Sequence, residues 1–166
     1  MPSPAFQIES TMRAIQQKLI AGLPAKIAEI NTEIEDEWKL EEPAPGGITL
    51  GQRSDTTFPW VAVLPSRTTK VTDTSGAIIR NHNIDVVTWV DAWQEDGIVL
   101  RVIRFVRAVD EVVLPGRMPG QSYGEGGYGL EFVEDYYGPV IGTPGESAVQ
   151  TWARCRYAVR QEQYIG

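Results

Sequence analysis

The stretch "EDGIVLRVIRFVRAVDEVVL", Glu95 to Leu114, decides the fold. Its valines and isoleucines leave it ambiguous by propensity. Its arginines settle the matter. Arg101, Arg104 and Arg107 recur every three residues and Glu111 continues the row, while Val99, Val102, Ile103, Val106 and Val113 form the opposite face. A period of three to four over this length predicts a helix.

Strands are expected on both sides of that helix. Before it, "IIRNHNIDVVTWVDAW" alternates: Ile84, Val86, Thr88, Val90 and Ala92 share one face, and Asp85, Val87, Trp89, Asp91 and Trp93 share the other. The tryptophans on the less apolar face need cover from a helix or a neighbouring subunit. Further upstream, "FPWVAVLPS" reads as a short strand between prolines, and "RTTKVTDTSGA" as an extended loop or hairpin tip. After the helix come a loop at 115–129, a strand "LEFVEDYY", and a second loop at 138–147. The chain closes with "AVQTWARCRYAVRQ", in which Val149, Thr151, Ala153, Cys155, Tyr157 and Val159 alternate with outward Arg154, Arg156 and Arg160.

The first forty residues are helical in pattern. Ile8, Met12, Ile15, Leu19, Leu23, Ile27, Ile30 and Ile34 make one apolar stripe, extending to about Trp38. Gly22 and Pro24 interrupt it, which predicts either two consecutive helices or one kinked helix. The acidic group Glu33, Glu35, Asp36 and Glu37 reads as a solvated face, and "EEPAPGG" ends the segment. The expected architecture is α+β, a single domain over residues 1–166. An N-terminal helix or helix pair (1–40) and one further helix pack on a mixed or antiparallel sheet of about four strands.

The composition narrows the chemistry. The chain has 166 residues, 42% apolar and 22% charged, as expected for one soluble globular domain. No apolar run approaches the roughly 20 residues that cross a bilayer, and "MPSPAFQIES" does not read as a signal peptide. Cys155 is the single cysteine and His82 the single histidine, so a cysteine metal cage, a multi-histidine site and most histidine-based triads are excluded within one chain. His82 reads as a hydrogen-bonded or exposed imidazole, and Cys155 as a buried structural thiol. A net charge of -7 and a pI near 4.8 disfavour attraction to DNA phosphates.

Gly124, Gly126 and Gly129 in "YGEGGYGLEF" fit the spacing of a dinucleotide-binding turn. That turn needs a strand before it and a helix after it. Here a strand-like, acidic segment follows, with Glu125, Glu131, Glu134 and Asp135 placed to repel a phosphate. The spacing is a coincidence, and no cofactor is expected.

Three segments together resemble the tail terminator (tail completion) proteins of long-tailed bacteriophages. "AIQQKLIAGLPAKIAEINTEIEDEW" is similar to their opening helix around a leucine-proline step. "FPWVAVLPS" with "RNHNIDVVTWV" is similar to their first two strands, and "EDGIVLRVIRFVRAVDEVV" to the helix that follows. The resemblance covers roughly residues 10 to 113 and the final strand. The stretches Pro115–Gly129 and Gly138–Ser147 depart from it.

The resemblance implies a structural virion protein and no enzyme. It forms a homo-oligomer, a hexameric ring at the head-tail junction that stops tail-tube polymerisation. Its partners are the tail-tube protein and the head-connector or neck protein. DNA passes through the lumen without specific binding, and no membrane is involved. The ring would be assembled in the host cytoplasm. The expected subunit contact uses Trp89, Trp93, Arg101, Arg104 and Arg107 against Glu33, Glu35, Asp36 and Glu37 of a neighbour, because aromatic residues and arginine are enriched at such contacts. Two alternatives remain. One is another head-tail joining or tail-tube protein, and the other a small hydrolase using Glu125, Glu131 and Asp135.

Overall fold

The computed structural model describes residues 4–51, 57–115, 121–123, 128–143 and 148–164. The elements run α1 (Pro4–Glu33), β1 (Ile48–Leu50), β2 (Trp60–Thr72), β3 (Ala77–Ala92), α2 (Glu95–Val113), β4 (Gln121–Tyr123), β5 (Tyr128–Tyr137) and β6 (Val149–Tyr164). The strands form one sheet in the order β1-β2-β3-β6-β5-β4. Only the β1–β2 pair is parallel, so the sheet is mixed and the fold is α+β.

β3 and β6 are the spine of the sheet. They pair antiparallel along their whole lengths, from Ala77↔Tyr164 to Ala92↔Val149. Side chains alternate across a pleated strand, so one face of each is apolar. Ile84, Val86, Thr88, Val90 and Ala92 of β3 are buried on that face, as are Val149, Thr151, Ala153, Cys155, Tyr157 and Val159 of β6. Both alternations are as the sequence predicts.

Both helices contribute to this core. α1 runs through Pro24 as one helix, settling the choice between a pair and a single helix. An interior proline costs a helix about 3 kcal/mol. The stripe Ile15, Leu19, Leu23, Ile27 and Ile30 stays in register across the proline and is buried throughout, and each such side chain offsets that cost by about 1.5–3 kcal/mol. Gly22 lets α2 approach: a Cβ there would lie 3.2 Å from Val112 Cγ1.

α1 ends at Glu33 rather than near Trp38. Asn31 is the reason. Its Nδ2 donates to Leu40 O (2.9 Å) and its Oδ1 accepts from Leu40 N (2.8 Å), clamping an extended return beside the helix. Trp38 and Leu40 are thereby turned into the core.

α2 is helical, but its buried face differs from the expected one. Val102, Val106 and Val113 are buried together with Ile98, Phe105, Ala108, Val109 and Val112, whereas Val99 and Ile103 are exposed. A row spaced every three residues drifts around a helix of 3.6 residues per turn, so the face opposite the arginines is not a fixed stripe.

Two further differences concern strands. β2 continues past Pro65 to Thr72, through a register shift between Pro65 and Arg67. Proline is tolerated there because β1 pairs only with Val61–Val63, leaving that edge without a ladder partner among the described residues. Within the expected loop at 115–129, Gln121–Tyr123 forms β4 and pairs with Tyr128–Leu130, and the expected loop at 138–147 carries an isolated bridge between Ile141 and Gln150.

Candidate functional site

α2 presents its arginines toward the end of α1 and the segment after it. Arg104 grips Asp36 with both nitrogens, Nη1 to Oδ1 at 2.9 Å and Nη2 to Oδ2 at 2.6 Å, and also donates to Trp38 O at 2.8 Å. Arg107 donates to Glu33 at 2.7 and 3.2 Å and to Glu111 at 2.9 Å. The hydrogen bonds from Arg107 hold the Glu33 and Glu111 carboxyls below their ordinary range, and those from Arg104 do the same for Asp36. Arg101 donates to Asp91 O at 2.9 Å and lies over the rings of Trp38 and Trp93.

Arg104 and Arg107 therefore meet Asp36 and Glu33 of their own chain. Glu35 and Glu37 stay exposed and, among the described residues, unpaired.

The two tryptophans do not come together. Trp89 joins a row across the face of the sheet that carries no helix. It lies 6.3 Å from Trp60 and 6.2 Å from Trp152, which in turn lies 5.4 Å from Tyr136. Beside that row, Arg156 binds Asp85 through two nitrogens at 2.8 and 3.0 Å, and Arg154 reaches Glu134 at 3.0 Å. These arginines face outward as expected, lying flat as cover for the sheet. Trp93 lies beyond the end of β3 and packs 4.5 Å from Trp38, with 52% of its surface exposed.

A polar cluster lies beneath α2 that the sequence pattern does not announce. Asp110, Asp135 and Cys155 place their ligand atoms within 4.8 Å of one another. Tyr157 Oη donates to Asp110 Oδ1 at 2.6 Å, and the buried Cys155 thiol lies beside Asp135, its cross-strand neighbour. Burial, reinforced by Asp110, pushes both the thiol and the phenol up, so both stay protonated. The Tyr157–Asp110 bond makes a hydrogen-bonded joint between β6 and α2.

His82 is buried and hydrogen-bonded, one of the two environments expected for it. Its Nε2 lies 3.1 Å from Gln161 Oε1 and its Nδ1 2.9 Å from Thr68 Oγ1. The amide oxygen can only accept, so Nε2 carries the proton and Nδ1 accepts from the threonine.

The remaining candidates separate. Gly124, Glu125 and Gly126 lie outside the described residues. Gly129 sits in β5 opposite Ser122, with no helix after it. Glu131 pairs with Ala158 on the outer face and Asp135 with Cys155 on the core face, so these two acids form no carboxylate pair.

No protein-family model matches the chain, and no curated protein matches its sequence. A solved chain does share its architecture: one from the virion of a native gene transfer agent particle, at a TM-score of 0.61 and 14% sequence identity, over 97% of this chain and 100% of that one. At this identity the likeness establishes the fold. Within the described residues, no helix is long and apolar enough to cross a membrane.

Proposed function

We propose that the chain is a structural virion protein that closes into a ring, hexameric in the resembling family, at the head-proximal end of a phage-like tail. There it stops growth of the tail tube and offers a docking face to the head connector. The observation that carries this reading is the end-to-end match of its fold to a virion chain, with neither chain leaving a large remainder. The resemblance of residues 10 to 113 to tail terminators supplies the finer role. A net charge of -7 suits a lumen through which DNA slides without being held.

Trp93, Glu35 and Glu37 retain free surface for the subunit contact. Arg104, Arg107, Glu33 and Asp36 hold α2 to the end of α1. The test is to assemble particles with and without the chain and image them by electron microscopy. Tails of uncontrolled length that fail to join heads are expected without it, and a label on the chain should mark the head-tail junction. Normal, head-joined tails in its absence would sink the proposal.

The 16-residue strands β3 and β6 favour a second reading, a tube subunit. The same label would then decorate the whole length of the tail.

A further inference from the structure

The geometry points to the surface through which one copy of this chain holds the next: the basic arm of its sheet docks on the acidic, apolar end of a neighbour. The inference rests on the ring reading above and specifies its contact.

The arm is the part of the sheet farthest from the start of α2. β2 runs 13 residues from Trp60, so its far end lies about 40 Å away at ~3.3 Å per residue. It is built to project. Asp73 Oδ1 accepts from Ser75 N (2.8 Å), Ser75 Oγ (2.6 Å) and Ala77 N (3.1 Å), with Gly76 at φ 82°, which fixes the tip. The His82–Thr68 and His82–Gln161 bonds tie β2, β3 and β6 together along the arm. Among the described residues Arg67 and Lys70 have no ion-pair partner, and Val71 beside them is 55% exposed. The edge of β2 that they occupy has no ladder partner in the described sheet beyond Val63. Arg67 and Val71 share one face of β2 and Lys70 lies on the other, so the free edge shows a cation on each side, out of character in a chain of net charge -7.

The opposite end has the complementary make-up. Glu95, Val99 and Ile103 follow at steps of four, so they share one solvent face of α2. Val99 is 43% and Ile103 47% exposed, with Trp93 beside the helix start. Glu95, Asp96, Glu35, Glu37 and Glu42 are exposed there without ion pairs among the described residues. The helix dipole accounts for acids in the first turn of α2. It does not account for the apolar stripe, nor for the acids contributed by the segment after α1. A shallow, water-sized recess lined by Leu40, Glu41, Pro59, Val90, Asp91, Arg101 and Phe105 opens at this end. Arm and end lie on different surfaces, so the contact is heterologous and closes into a ring by rotation.

The test is a charge swap in the full chain, read by mass photometry and negative-stain electron microscopy. Arg67→Glu with Lys70→Glu gives arm and end the same negative sign. Glu95→Lys, Asp96→Lys, Glu35→Lys and Glu37→Lys together leave only Glu42 of those five acids and give both the same positive sign. Each variant alone is expected to lose the ring and run as a monomer. An equimolar mixture is expected to regain rings, because arm and end are then opposite in sign at every junction of alternating copies. Recovery on mixing also shows that both variants are folded. Rings that survive either reversal, or variants that disperse and do not recover on mixing, would overturn the contact while leaving the ring itself in place. A wild-type chain that stays monomeric at every concentration, and on tail tubes, would overturn the ring and the contact with it.

Discussion

Tyr157 donates a 2.6 Å hydrogen bond to Asp110, joining the central strand β6 to α2 across 47 residues of sequence. Asp110 is only 3% exposed, so water does not readily replace a donor lost there. Tyr157→Phe keeps the ring and removes the donor. The expected cost is about 1–3 kcal/mol, the usual penalty for leaving a buried acceptor unsatisfied. Urea unfolding checks it, and a midpoint equal to that of wild type would show that the joint is idle.

Cys155 lies beside that joint. It is fully buried, and burial raises its thiol well above the ordinary range. Thiol reagents should label it slowly in the native protein and rapidly in denaturant. Cys155→Ser is expected to cost about 1–3 kcal/mol, since the hydroxyl is more expensive to bury than the thiol. Rapid native labelling would show that β6 presents this face to solvent.

The sheet was legible in the sequence wherever burial is one-sided. In β6 the period of two is uninterrupted because a helix layer covers one face only, while in β3 Asp85 and Val87 of the other face are buried as well, Asp85 under Arg156. β1 and β4 were not legible, because each is three residues defined by its partner and carries no pattern of its own. The arginine row revealed α2 as a helix but misdirected its buried face, since Val99 and Ile103 look like core residues and are exposed. The candidate contact was legible in its residue types and not in its pairings. Arg104 and Asp36 stand 68 residues apart, and nothing local in the sequence says that they meet within the chain. Asp110, followed by Glu111, reads as half of a solvated acidic pair, while only its neighbour reaches solvent.

Gly97→Ala should destabilise the protein, against the usual trend. Inside a helix alanine is ordinarily better than glycine by about 0.5–1 kcal/mol. Here a Cβ would overlap the Trp38 ring, which is held from behind by Trp93 and by the bond from Arg104 to Trp38 O. Overpacking of this kind costs about 1–3 kcal/mol. A rise in the thermal midpoint of Gly97→Ala would mean that the tryptophan is free to move aside.

Acid should loosen α2 from the end of α1. The Glu33, Glu111 and Asp36 carboxyls are all held below their ordinary values of 4.5, 4.5 and 3.8 by their arginine partners. A lowered folded-state value contributes stability that is fully present above the ordinary value and is lost as pH falls through the folded one. The thermal midpoint should therefore hold from neutral pH down to about 4.5 and decline below it. Arg107→Gln removes the guanidinium from two of the three acids, leaving Lys26 beside Glu111, and should flatten that decline. Parallel curves for variant and wild type would show that these exposed pairs contribute nothing measurable.

The functional prediction falls on Ile103. Arg104→Glu with Arg107→Glu would place new carboxylates against Asp36 and Glu33 and would disturb the fold itself. Ile103 stands one residue from Arg104, 47% exposed, and belongs to none of the ion pairs. Ile103→Asp should leave the circular dichroism spectrum and the urea midpoint near those of wild type, because surface changes of this kind lie within about 0.5 kcal/mol. At a subunit contact the same change buries an unpaired charge, which a contact does not tolerate. Rings of the variant should dissociate at concentrations where wild-type rings persist, and tails assembled with it should vary in length and join heads poorly. Tails of normal length from Ile103→Asp would show that the exposed stripe of α2 faces solvent in the virion, and the apolar half of the contact would have to be sought at the Trp60–Trp89–Trp152 row instead.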